Sequence, residues 1–139
     1  MNFKKEAFQS MKTIEVVAAV IKNSKGLTLA VQRGESSKEY ISKKWEFPGG
    51  KIEFGETLQE ALRRELVEEL KIDASIGQLV TTVDHTYPDF RLIMHAFHCQ
   101  IVSGELTLTE HLDKKWLPQS ELRSLDWAAA DIPIVDLLI

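Results

Sequence analysis

Three glutamates crowd one turn of a segment whose periodicity is helical. Glu65, Glu68 and Glu69 lie within five residues of each other. Stepping about 100° per residue from Leu58, Leu62, Leu66 and Leu70 trace a drifting apolar stripe. Glu65 and Glu69 fall about 20° to either side of the Leu58 meridian, beside the face that must pack into a core. Like charges at such spacings cost a few tenths of a kcal/mol per pair on an exposed helix. Partial burial costs more unless a cation or a proton intervenes. The cluster is therefore either a solvated acidic face or a partly buried group that takes up a cation or a proton. Arg64 can pair with Glu60 and Glu68 but points to the opposite flank, so the cluster as a whole stays unneutralised. Just upstream, Trp45-Glu46-Phe47-Pro48-Gly49-Gly50 runs from an apolar strand end into a turn. Its glycines let backbone approach a ligand closely and leave carbonyl groups bare.

From Gly50 the spacing is five residues to Glu56, seven more to Arg64, then Glu65, Leu66, one residue, Glu68, Glu69, one residue, Lys71 and Ile72. This resembles the Nudix box: Gly, five residues, Glu, seven residues, Arg-Glu-apolar, one residue, Glu-Glu, one residue, Gly-apolar. Lys71 stands where the pattern has its last Gly. At residue frequencies near one in twenty, so many matches should arise by chance in fewer than about one chain in a million. Arg33, Tyr87-Pro88-Asp89, Glu110 and Ala130-Asp131-Ile132-Pro133 are similar to landmarks of the MutT and CTP-pyrophosphohydrolase branch. The loop after Arg33 is about two residues longer than usual there. A Gly at position 71 would end the helix in a left-handed conformation, so Lys71 implies strain of roughly 1–2 kcal/mol, offset in part by a cation at a helix C-terminus.

The resemblance implies a fold, an α/β/α sandwich with a mixed β-sheet, and a reaction. A nucleoside triphosphate and water give the monophosphate and pyrophosphate, with Mg²⁺ or Mn²⁺ between protein carboxylates and phosphate oxygens. The implied metal donors are Glu65, Glu68, Glu69, the Gly49 carbonyl and Glu110. Glu65 is the first choice for the base that deprotonates water, and Glu110 the second. Arg64 would orient the helix carboxylates by ion pairing. Glu56 would brace the loop and the ligands, or else be an ordinary acid at a helix N-terminus. Arg33 offers a planar fork to a phosphate or a base edge, unless it is a plain surface arginine. Tyr87 either stacks on a nucleobase or packs the hairpin. Asp131 would read the base. Ionised, it only accepts hydrogen bonds and suits the two neighbouring donors of guanine; protonated, it suits the amine and acceptor nitrogen of cytosine. The expected substrates are oxidised dGTP and cytidine-type triphosphates such as CTP or dCTP, ahead of ATP, in a nucleotide-pool sanitising role. The alternatives are a nucleotide-sensing module without catalysis, which should lack box carboxylates, and a Nudix enzyme for ADP-ribose or dinucleotides, which needs a larger pocket.

The remaining reactive side chains make no second motif. His85, His95, His98 and His111 lack metal-ligand spacing, and His95 and His98 point to opposite sides of a strand; all four read as structural or solvent-facing. Cys99 reads as a buried small hydrophobe. Trp45, Trp116 and Trp127 are core candidates, Trp127 being near enough to Asp131 to border a pocket.

Positioning these groups requires strands at Thr13 to Lys22 and Leu27 to Gln32, joined by a hairpin turn at Ser24-Lys25-Gly26. A polar loop follows over Gly34 to Lys44. A helix runs from Thr57 to Leu70, with Thr57 and Glu60 as a capping box. Strands at Gln78 to Tyr87 and Phe90 to Val102 meet at Pro88-Asp89, and a short strand ends at Trp116. A helix-like segment begins at Pro118, and a final amphipathic helix is capped by Asp131, with Pro133 in its first turn. The 139 residues suit one domain, residues 13–139 after an extension over residues 1–12. With 44% apolar and 27% charged residues the composition is that of an ordinary globular domain. The longest apolar run, Val16 to Ile21, is far short of the roughly 20 residues of a membrane span, so no membrane is expected. A net charge of −4, from 17 basic and 21 acidic residues, argues against polymeric nucleic acid as partner. The lone Cys99 excludes an intrachain disulfide and suits a reducing cytoplasm.

Overall fold

The computed structural model describes residues 11–139; residues 1–10 of the expected extension lie outside the described residues, and Lys12 already opens the first strand. The elements run β1 (Lys12–Ile21), β2 (Thr28–Gln32), β3 (Trp45–Glu46), β4 (Gly49–Lys51), α1 (Leu58–Leu70), β5 (Asp73–Thr86), β6 (Phe90–Ser103) and β7 (Asp113–Leu117). Two 3₁₀ segments, Gln119–Ser124 and Ala129–Asp131, lead into α2 (Ile132–Leu138).

The strands form two sheets, where the sequence suggested one. A four-stranded mixed sheet has the order β4-β1-β6-β5, and a three-stranded antiparallel sheet the order β3-β2-β7. β1 lies parallel to β6 and antiparallel to β4. The turn after β1 is present: the Asn23 side chain accepts from the Lys25 and Leu27 amides at 3.0 Å each, and Gly26 takes φ +76°. It does not close a hairpin ladder, however. Only a single bridge, Lys22 with Thr28, joins its two arms before each strand enters its own sheet.

The apolar run in β1 follows from burial on both faces. Val17, Ala19 and Ile21 pack with Leu62, Leu66 and Leu70 of α1, while Ala18 and Val20 pack with Ile134 and Val135 of α2. The α/β/α layering is thus written in alternating residues of one strand. Leu62, Leu66 and Leu70 are fully buried, and each such side chain contributes about 1.5–3 kcal/mol. That outweighs the few tenths of a kcal/mol by which each pair of neighbouring glutamates repels on an exposed helix, so the leucine stripe decides how α1 docks.

The capping box forms as expected, with Thr57 Oγ1 accepting from the Glu60 amide and Glu60 accepting from the Thr57 amide. α1 ends at Lys71 in the left-handed conformation, φ 60° and ψ 31°. β5 begins five residues before the expected Gln78, its early part interrupted by register shifts between Ile76 and Thr81. The segment after Pro118 is a 3₁₀ helix. Asp131 precedes α2, but its side chain makes no capping bond. No helix among the described residues is long and apolar enough to cross a membrane.

Candidate active site

Arg64 organises the acidic end of the site. Its Nε and Nη2 take both oxygens of Glu56, at 2.7 and 2.8 Å. Nη2 also donates to the Lys51 carbonyl at 3.0 Å, and Nη1 donates to Glu65 at 3.0 Å and Glu68 at 3.2 Å. The guanidinium therefore curls back over the cluster instead of staying on its far flank, as the helical angle alone had suggested. It does not pair with Glu60, whose carboxylate is engaged in the capping box. Besides both Arg64 bonds, Glu56 accepts from the Glu53 amide at 2.8 Å. The Arg64 bonds, followed by that amide, hold its carboxyl below the usual range.

Close backbone approach places Glu65. A Cβ on Gly50 would overlap its carboxyl group, and a Cβ on Gly49 would overlap the Val17 carbonyl of β1. Burial pushes Glu65 upward in pKa, against the pull of Arg64. Glu69 is pushed further, to about 8, first by burial and then by the charges of Glu65, Glu46 and Glu110, with the Gly49 amide pulling the other way. Its Oε2 is buried and has no hydrogen-bond partner among the described residues.

Glu65, Glu69, Glu110 and Gly49 border one cavity of about 540 Å³, which Arg33, Tyr87 and Asp131 also line. Glu68 does not; it is exposed on the outer side of Arg64, because it lies about 60° round the helix from Glu65. The five expected metal donors are thus not assembled as a set: among the described residues no three acidic, His or Cys side chains are gathered as a ligating cluster. The chemistry of those lining the cavity nevertheless fits a divalent ion. Three carboxylates and a bare glycine backbone are hard oxygen donors, and the unpartnered Glu69 oxygen is a buried acceptor without a donor.

At the other end, Asp131 is buried and accepts from the Phe47 amide at 3.0 Å. It is not the expected helix cap because its side chain turns inward to the chain just after β3. Burial, and then the Glu46 charge, raise its pKa well above the ordinary value, while Phe47 and Arg33 pull downward. Arg33 is half-exposed and bonds Glu46 at 3.1 Å. Tyr87 does not offer a free face for a base. Its buried ring stacks on Tyr40 and Phe90 with centroids 5.0 and 5.1 Å away, and its hydroxyl accepts from the Ala130 amide. Trp127 is core, stacked on Phe47 at 4.7 Å and bonded to the Leu122 carbonyl. Burial raises the Cys99 thiol to about 12, which leaves it an inert core residue.

Glu46 and His111 also line the cavity, although neither stands out in the sequence. Glu46 bonds both Arg33 and His111, the latter at 3.1 Å, and the His111 side chain is 6% exposed. Glu46 was visible only as part of a strand end; His111 had no motif of its own, although it directly follows Glu110.

The layered fold agrees with what comparison with known proteins finds. Residues 12–138 match the NUDIX domain model, and the chain belongs to the Nudix family. It is 36% identical over 126 residues to a CTP pyrophosphohydrolase from Escherichia coli, covering 91% of each chain. It is 38% identical over 96 residues to an 8-oxo-dGTP diphosphatase from Proteus vulgaris, covering 69% of this chain and 84% of that one. The solution structure of the E. coli ORF135 protein superposes with a TM-score of 0.77 at 37% identity, covering 93% and 90% of the two chains. Nudix hydrolases generally need a divalent metal.

Proposed function

We propose that this chain, through a single domain over residues 13–139, hydrolyses nucleoside triphosphates to the monophosphate and pyrophosphate with Mg²⁺ or Mn²⁺, acting on cytidine-type and oxidised guanine nucleotides. The observation that carries this reading is the buried, unpartnered Glu69 oxygen in the cavity that also holds Asp131. A carboxylate cluster desolvated to that degree is relieved by a proton or a cation, and a divalent cation there would bring in a triphosphate. When bound, the metal neutralises phosphate charge and acidifies water. Gly49, Glu65, Glu69 and Glu110 would hold it, with Glu68 joining on release from Arg64. Glu65, held at the cavity wall by Arg64 and packed against Gly50, is the first candidate to take the proton from the attacking water; Glu110 is the second. Arg64, clamped by Glu56 and the Lys51 carbonyl, sets the orientation of Glu65.

Asp131 supports the choice of base. A neutral carboxylic acid presents one donor and one acceptor side by side. Cytosine offers the complementary amine and ring nitrogen. Oxidised guanine offers N7–H beside O6, and guanine itself offers N1–H beside O6, so GTP against 8-oxo-dGTP tests which edge reaches Asp131. Adenine also presents a matching edge, so ATP tests whether ring fit discriminates beyond hydrogen bonding. Arg33, beside Glu46, would contact the substrate at this end. The lone buried cysteine and the net negative charge support a place in the cytoplasm, with free nucleotides and no polymeric nucleic acid as partners.

The test is a nucleotide panel run with wild type and Glu69→Gln, with and without Mg²⁺. Metal-dependent pyrophosphate release from CTP or 8-oxo-dGTP, lost by orders of magnitude in the variant, supports the reading. Tight nucleotide binding with no turnover in any metal would favour the sensing module instead.

A further inference from the structure

Glu110 lies between two neighbours that are anchored to different walls of the site. On one side, Thr109 docks on the end of α1. Its amide donates to the Glu69 carbonyl at 3.2 Å, and its hydroxyl donates to the Glu68 and Glu69 carbonyls at 3.2 and 3.0 Å. Thr107 adds a bond from its amide to the Leu70 carbonyl at 2.9 Å. These are carbonyls of the last turn, which a helix leaves without internal partners. The segment before Glu110 is therefore the C-terminal cap of the very helix that carries Glu65 and Glu69. On the other side, His111 bonds Glu46 of β3 at 3.1 Å, and the Leu112 amide donates to the Gln32 carbonyl of β2 at 2.9 Å. Glu110 itself is exposed on the loop between these anchors.

We propose that Thr109 and His111 are positioning residues that pin Glu110 between α1 and β3, so that its carboxylate faces Glu65 and Glu69 across the cavity. The inference rests on the reading of Glu110 as a metal ligand or base. Its physical content is that an exposed glutamate on a connecting loop acts only if the backbone on both sides is fixed. Thr109 supplies that fixation by satisfying helix carbonyls, so any shift of the α1 terminus carries Glu110 with it. His111 supplies it through a buried side chain beside Glu46, whose other oxygen is held by Arg33.

The test is a double-mutant cycle with two readouts, turnover and Mn²⁺ binding by titration calorimetry. Thr109→Val and His111→Leu should each lower kcat about tenfold, the scale of a misplacement somewhat below 1 Å. KM should stay within about twofold and Mn²⁺ binding should weaken. Thr109→Ser and His111→Gln, which keep a donor, should restore most of the loss. In a Glu110→Gln background, neither Thr109→Val nor His111→Leu should lower kcat or weaken Mn²⁺ binding by more than about twofold further. Effects that multiply in full with Glu110→Gln, or that the conservative variants fail to rescue, would overturn the positioning role. Wild-type turnover and Mn²⁺ binding in Glu110→Gln alone would instead overturn the reading of Glu110, and the positioning role with it.

Discussion

The Glu65 carboxyl rests directly over the Cα of Gly50, with no room between them for a methyl group. The neighbouring Gly49 is tighter still, against something quite different, the backbone of β1 at Val17. Two adjacent glycines therefore carry separate duties, one toward the chemistry and one toward the sheet.

Gly50→Ala should displace the Glu65 carboxyl from its Arg64 partner and lower turnover by about a hundredfold, at a smaller cost in stability than a backbone clash. Gly49→Ala must instead part β4 from β1 and should cost several kcal/mol, on the scale of overpacked core sites. Urea denaturation alongside kcat separates the two. Equal stability losses in both variants would contradict this division.

Glu69 binds a proton more readily in the fold than in the unfolded chain, with a folded pKa of about 8. In chelator, its contribution to stability is fully present below the ordinary glutamate range. It is lost as pH rises through about 8, because a raised carboxyl pKa favours the protonated fold. Glu69→Gln should remove that pH dependence and raise the metal-free Tm at pH 9 by a few degrees, on the order expected for about 1 kcal/mol. Thermal melts at pH 5 and pH 9 check this; a variant that melts below wild type at pH 9 would contradict it.

Asp131 should make base preference depend on pH. Glu46 raises its pKa, Arg33 and the Phe47 amide lower it, and the Tyr87 hydroxyl lies near it. Since burial dominates, the neutral acid prevails until pH rises through the elevated folded value. The ratio of kcat/KM for CTP over GTP should fall as pH rises through that point. Asp131→Asn, with a fixed donor and acceptor, should hold the ratio flat. Leaving a buried polar contact unpaired costs about 1–3 kcal/mol, so Asp131→Ala should compress the spread between bases by roughly ten- to a hundredfold. An unchanged ranking in all three proteins would place base reading elsewhere.

Lys71 holds a left-handed φ of 60° while its amide bonds the Leu66 and Val67 carbonyls. Lys71→Gly relieves the Cβ strain at this cap and should stabilise the protein by about 0.5–1 kcal/mol, with turnover unchanged. Denaturant midpoints decide it, and a destabilised variant would show that the lysine side chain contributes more than the strain removes.

The leucine stripe, the Thr57 capping box and the Gly50-to-Ile72 spacing were legible because each is local: periodicity, cap chemistry and motif all lie within one stretch of chain. The separation of β1 and β2 into two sheets was not, since the turn at Ser24-Lys25-Gly26 has the same residues whether its arms pair or diverge. The inward turn of Asp131 was equally hidden, because an acid before Pro133 reads as a cap until the Phe47 amide is brought to it from 84 residues away. The same holds for Glu46 and His111, whose contact spans 65 residues. Arg64 was legible as an ion-pair partner but not as the hub joining Glu56, Glu65, Glu68 and the Lys51 carbonyl, since a helical wheel fixes the direction of Cβ and not the reach of a long side chain.

Metal-dependent cleavage to pyrophosphate is decided by following the products of CTP and 8-oxo-dGTP by ³¹P NMR, first with Mg²⁺ and then after excess chelator. A nucleoside monophosphate and pyrophosphate should form in equal amounts, with turnover that stops when the metal is removed. Orthophosphate and a nucleoside diphosphate as the first products, or undiminished turnover in chelator, would contradict it.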